Sequence, residues 1–218
     1  YIPYTYKGKT YYFSDLQALK KTIYDLHGWG SSEGNAYGEK HTRNVTLVLL
    51  LSWKYDELSY LVHPDARTKG KSSYYSLNMK DDVARQTYEA LFCYLGEEFG
   101  QMKERVNNWT LGNEVNSCNV WNYSGKMSFE NYVTNYALAF QLLNQGIKRT
   151  AKSPRLFISL DHCWNTADAG YSGKEFLDYF SKYMNETAPS MQWNVNYHPY
   201  SQPLTRTAFW KDQSNTQN

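Results

Sequence analysis

The chain has 218 residues, a formal net charge of +2 with acidic and basic residues interspersed, and an aromatic share of 17% that includes 21 tyrosines and 7 tryptophans. That length suits one domain with one core. The balanced charge offers no basic stripe for phosphates and argues against nucleic acid, and no apolar run reaches the roughly 18 residues of a membrane span. Cys93, Cys118 and Cys163 have neither CxxC spacing nor an even count, so no disulfide framework or metal site is implied. The stretch from Tyr1 to Tyr12 is aromatic and polar, unlike an export signal.

In chain order, Ser14-Asp15-Leu16-Gln17 has the form of a capping box, and Leu16, Leu19, Ile23 and Leu26 follow at helical spacing up to Gly28. Val45 to Leu51 is a continuous apolar run, expected as a strand covered on both faces. A helix is predicted from Asp81 to Gly100, a short strand over Trp109 to Gly112, and a helix from about Ser128 through Ile147. Next come a strand from Arg155 to Asp161, a helix with Phe176, Leu177, Phe180 and Met184, and a strand around Trp193, Val195 and Tyr197. Strict alternation means parallel βαβ units, in either an open doubly wound sheet or a closed barrel. Neither GxGxxG nor GxxxxGK[ST] occurs, so a nucleotide cofactor is not indicated and the barrel is favoured.

The predicted strands deliver Trp53, Asn113 and Glu114, Asp161 and His162 with Trp164, and His198 with Tyr200 to their C-terminal ends, where barrel enzymes build their sites. Polar residues at four successive strand ends point to chemistry rather than packing. Trp109-Thr110-Leu111-Gly112-Asn113-Glu114 resembles the acid/base motif of the large clan of retaining barrel glycosidases. The resemblance implies that Glu114 protonates the leaving oxygen and that Asn113 binds the sugar 2-hydroxyl. The chemistry agrees, because a glycosidic oxygen leaves poorly unless an acid supplies its proton. Asn194 to Tyr200 is similar to the sixth-strand His-x-Tyr of the same clan.

His63-Pro64-Asp65-Ala66-Arg67, Val120-Trp121-Asn122-Tyr123, Ser159 to Asn165 and His198 to Leu204 together resemble an uncharacterised bacterial family of the barrel glycosyl-hydrolase superfamily, over about residues 63–210. This implies a (β/α)8 barrel, here expected as one incomplete domain over residues 1–218 with about four strands and an irregular tail near 205–218. It also implies a poly- or oligosaccharide substrate, and hence an extracellular or cell-surface setting. Asp161, His162, His198 and Tyr200 are candidate substrate-binding residues, and Trp53, Trp121 and Trp164 are candidate sugar-stacking surfaces along with Tyr200. A retaining mechanism needs a second carboxylate about 5 to 5.5 Å from the first. No Glu follows His198 in this chain, and Asp212 is the only carboxylate there, so the nucleophile is expected outside it. Two other readings compete. One is a noncatalytic carbohydrate-binding barrel, and the other is a metal-dependent hydrolase using Asp161, His162 and His198.

Overall fold

The computed structural model describes residues 1–28, 44–101 and 105–200. Four parallel strands form one sheet: β3 (Val45–Leu49), β4 (Val106–Leu111), β5 (Arg155–Leu160) and β6 (Asn194–Tyr197), adjacent in that same order. Helix α1 (Gln17–Gly28) precedes the sheet, and α2 (Asp82–Gly100), α3 (Phe129–Thr150) and α4 (Gly173–Thr187) provide the crossovers. Because each crossover steps one strand in the same direction, right-handed connections put the helices on one face. A core of helix residues such as Phe92, Phe140 and Phe180 with strand residues such as Trp109, Ile158 and Leu160 fills that side.

The helices start where capping chemistry allows. Asp81 Oδ1 accepts the N–H of Ala84 at 2.8 Å, Ser128 Oγ that of Asn131 at 3.3 Å and Ser172 Oγ that of Glu175 at 3.2 Å. Helix α1 differs from the expected capping box: Asp15 Oδ1, not Ser14, takes the N–H of Gln17. Lys148 and Arg149 close α3, where cations suit the negative helix end. Two glycines let α2 and α3 approach closely. A Cβ on Gly96 would lie 2.2 Å from Thr150 Oγ1, and one on Gly146 2.5 Å from Phe92 Cβ.

The sheet is open. The closed barrel expected from the alternation is not formed by the described residues, and the order ends at β3 and β6. Strand β3 is not covered on both faces, since Val45 is buried while Thr46, Val48 and Leu50 are exposed. As an edge strand its apolar run reflects position rather than two-sided burial. The helix-free face is polar across its middle, with Asn108 Nδ2 donating to Thr46 Oγ1 and Asn196 Nδ2 to Thr110 Oγ1, each at 3.0 Å.

One unit lies outside the expected alternation. Strands β1 (Ile2–Tyr6) and β2 (Lys9–Phe13) form an antiparallel hairpin whose turn, Lys7-Gly8, has φ of 49° and 78°. Positive φ at both central residues matches the right-handed twist of the flanking strands. The hairpin docks on α2 through Tyr4 Oη to Glu97, Tyr6 Oη to Glu89, and Phe13 against Tyr94 at 4.9 Å. The tail expected at 205–218 lies outside the described residues.

Candidate functional site

The loops that leave the C-terminal ends of β3, β4 and β5 are tied to one another. Tyr75 bridges to Tyr123, with the N–H of Ser76 donating to Tyr123 O and the N–H of Tyr123 to Tyr74 O. Gly125, at φ 63°, passes so close to the Asp65 carbonyl that a Cβ there would meet it at 1.9 Å. Gly170 sits similarly against Asn116 and Cys118. These contacts make one rim from three loops.

Glu114 occupies the sharpest bend in that rim. Gly112 adopts φ 74°, and two residues later Glu114 itself has φ 43°, a left-handed conformation rare for a residue with a Cβ and worth about 1 to 2 kcal/mol of local strain. Its backbone is held against β5 by the Glu114 N–H to Ser159 Oγ at 3.2 Å and the Val115 N–H to Ser159 O at 2.8 Å. The side chain is buried, and Oε1 lies 2.8 Å from His198 Nδ1. His198 Nε2 in turn lies 3.3 Å from Ser159 Oγ, and its N–H continues the β6 ladder to Leu160 O. Glu114, His198 and Ser159 therefore close a triangle across β4, β5 and β6. The imidazole can donate to the carboxylate from Nδ1 or accept from the protonated acid there, so the pair can hold or release one proton without moving. Oε2 of Glu114 has no hydrogen-bond partner among the described residues.

Asp161 stands beside this triangle in a different state. Its Oδ1 accepts from Asn116 Nδ2 at 2.6 Å and the Cys163 N–H at 2.8 Å, and its Oδ2 accepts from the Ser117 hydroxyl. Asn116 Oδ1 in turn accepts the Asp161 N–H at 3.0 Å. Both carboxylate oxygens are thus occupied in holding the loop after β4 to the loop after β5. Burial, with the nearby Asp161, Asp168 and Glu114 carboxylates, pushes the Cys163 thiol up to about 11, so it is a neutral neighbour.

The remaining candidates spread along the rim. Tyr200 lies edge-on to both His162 and His198, at 5.9 and 5.8 Å between centroids, and links the two imidazoles. His162 also lies 3.7 Å from Cys163 Sγ, and its buried Nδ1 has no hydrogen-bond partner among the described residues. Asn113 is half-buried next to Glu114 and makes no side-chain hydrogen bond among the described residues. Trp121 is exposed and stacks on Tyr74 at 6.2 Å. Trp53 packs edge-on against Tyr75 under Lys69, and Trp164 edge-on against Tyr197. Glu114, His198 and Tyr200 thus gather at one point, whereas Trp53 and Trp164 are largely engaged in packing.

Sequence reasoning missed Ser159, Asn116, Ser117 and Tyr74. Ser159 was the detectable one, as a polar residue inside the apolar run Phe157-Ile158-Ser159-Leu160. A groove of about 470 Å³ lies outside this rim, between the start of α3, the loop after β5 and α4. Among the described residues no three His, Cys, Asp or Glu side chains gather as a metal site, and no helix is long and apolar enough to cross a membrane.

Neither the curated proteins nor the solved structures offer a match to the chain. The match to a family is complete, running over residues 1–218, and the chain belongs to the family of unknown function DUF5722.

Proposed function

We propose that the intact protein is a glycoside hydrolase that cleaves a poly- or oligosaccharide by a retaining, two-carboxylate mechanism, with Glu114 as its acid/base. In this reading strands β3 to β6 are successive strands of a (β/α)8 barrel. Their parallel order in sequence and their helices on a single face support that, since a doubly wound sheet reverses direction and carries helices on both faces. The observation that carries the reading is the Glu114–His198 contact of 2.8 Å at the C-terminal ends of β4 and β6.

In the first step Glu114 gives its proton to the departing glycosidic oxygen, and the resulting carboxylate is met by the Nδ1–H of His198. In the second it takes a proton from the water that releases the sugar. Ser159 holds both partners in place by its hydroxyl. Asn113 is free to reach a sugar hydroxyl, and the exposed Trp121–Tyr74 pair offers a flat surface for a ring further along the cleft. The nucleophile is a second carboxylate on a further strand. A polysaccharide substrate would set the protein to work outside the cell or at its surface.

The test is Glu114→Gln in the intact protein, assayed on dinitrophenyl glycosides and on the matching unactivated oligosaccharides. Hydrolysis of the unactivated substrate should fall by about 10²- to 10⁴-fold. The activated substrate should give a burst followed by slow turnover, with azide restoring rate. Equal loss on both substrates would refute the acid/base role. A wild-type protein that binds oligosaccharide without ever cleaving it would favour a noncatalytic carbohydrate-binding protein.

A further inference from the structure

The groove outside the rim is a built surface with its own chemistry. Its floor is a corner of two half-buried rings, Phe129 at the start of α3 and Tyr179 on α4, 5.4 Å apart and inclined at 68°. Above the floor, Lys174, Asp178 and Lys182 recur at helical spacing along one side of α4, with Glu175 beside them and Asn165 and Ser172 on the loop from β5. Its volume of about 470 Å³ falls within the roughly 300 to 1,000 Å³ of small-ligand sites.

We propose that this groove is a second carbohydrate site, separate from Glu114, that takes one or two rings of a neutral oligosaccharide. The inference rests on the carbohydrate reading of the protein. Charge balance selects the ligand class: two lysines face two carboxylates, and Lys174 Nζ is already paired with Asp178 Oδ2 at 2.9 Å. A phosphate or other anion would find no excess of cations, and a cationic ligand no excess of carboxylates. What remains is a mixture of neutral and offsetting donors and acceptors over an apolar floor. The Glu175 carboxylate and Lys182 ammonium make no ion pair among the described residues. The Ser172 oxygen accepts the Glu175 N–H at 3.2 Å, so its own proton can be given away, and Asn165 is exposed with both an amide donor and an acceptor. A pyranose has complementary parts, with an apolar CH face for the rings and hydroxyls that both give and accept.

The groove also lies next to the machinery of the rim. Phe129 packs on Tyr171 at 4.6 Å, and the backbone of Tyr171 is bonded both ways to Asn116, the residue that holds Asp161. A sugar seated on Phe129 would therefore rest against the loop that organises the strand ends, as suits a site that keeps a long chain close to the cleft.

The experiment is an amide chemical-shift titration of the full ¹⁵N-labelled chain with cellotetraose, xylotetraose and mannotetraose. At least one should move the amides of Asn165 and residues 172–182 in a saturable way. Tyr179→Ala should weaken that binding about tenfold. Because loss of this ring also removes packing, Asn165→Ala serves as the second variant: its side chain is exposed, and it should weaken the same binding severalfold in a protein of unchanged fold. Shifts at residues 112–116 and 198–200 are read in the same spectra and report the Glu114 rim separately. Movement at the groove, together with an intact protein that hydrolyses no glycoside, would keep this site while removing the proposed activity. Movement at the rim alone, no movement with any of the three sugars, or equal movement with sodium phosphate would overturn the groove as a neutral-sugar site.

Discussion

Replacing Asp161 by alanine separates a structural carboxylate from a ligand-binding one. Asp161 is 3% exposed and accepts three hydrogen bonds, from Asn116 Nδ2, the Cys163 N–H and the Ser117 hydroxyl. Without the carboxylate, Asn116 keeps its second bond, to Tyr171 O at 3.1 Å, but the Cys163 N–H and the Ser117 hydroxyl lose their acceptor. Two buried donors left without partners cost about 1 to 3 kcal/mol each. Water entering the space the carboxylate leaves can satisfy part of that loss, so the expected destabilisation is about 3 kcal/mol. For a chain of this length that corresponds to a fall in Tm of about 6 to 12 °C. Asp161→Asn should lose about 1 kcal/mol, because its amide oxygen still accepts the Cys163 N–H and Ser117 can turn to accept from its NH₂. Urea denaturation followed by tryptophan fluorescence measures both. An alanine variant within 0.5 kcal/mol (about half the worth of one ordinary hydrogen bond) that nevertheless loses oligosaccharide binding would refute this reasoning and make Asp161 a ligand group.

Gly125→Ala should destabilise by about 3 kcal/mol or more, since the new Cβ would meet the Asp65 carbonyl at 1.9 Å from a backbone at φ 63°; a thermal melt checks it, and a near-neutral result would mean that the two loops separate easily. Cys163 should react with iodoacetamide slowly at neutral pH and with a rate that keeps rising to about pH 11, where an ordinary thiol levels off above about 8.5; mass spectrometry of the labelled peptide follows the rate. Alkali should unfold the protein, because burial raises Tyr132 and Tyr136 well above the usual tyrosine value. The unfolded chain releases those protons above about pH 10 while the folded one retains them, so stability is full below that point and falls by up to about 1.4 kcal/mol per pH unit for each such tyrosine. Tyr136→Phe should flatten this decline by one tyrosine's share, and it should lower stability at neutral pH by about 1 to 2 kcal/mol, because Leu111 O loses its 2.6 Å partner in the core.

Helices α2 and α3 were legible because capping and periodicity are local. Asp81 and Ser128 precede stretches whose apolar residues recur every three or four positions, and nothing distant is needed to start or face such a helix. The hairpin of β1 and β2 was as local, with alternating Tyr and Thr around Lys7-Gly8, and was overlooked although the turn chemistry stood in the sequence. Alternation was enough for parallel βαβ units, and the strand ends could be read as the place where Glu114 and His198 emerge, but the absent nucleotide turn favoured a closed barrel that the described residues do not form.

Distances between residues far apart in sequence required the tertiary structure. A continuous apolar run reads the same on an edge strand as in a sheet centre, so only the neighbours of β3 reveal that Val48 and Leu50 face outward. Asp161 and Glu114 are both carboxylates at strand ends, and residue type cannot tell them apart. The first is consumed by Asn116, Ser117 and Cys163, and the second meets His198, 84 positions away. Local sequence determined the elements and which of their ends carry polar groups. Packing alone decided which polar groups are satisfied within the protein and which are left without a partner among the described residues, because satisfaction depends on partners that converge from separate strands.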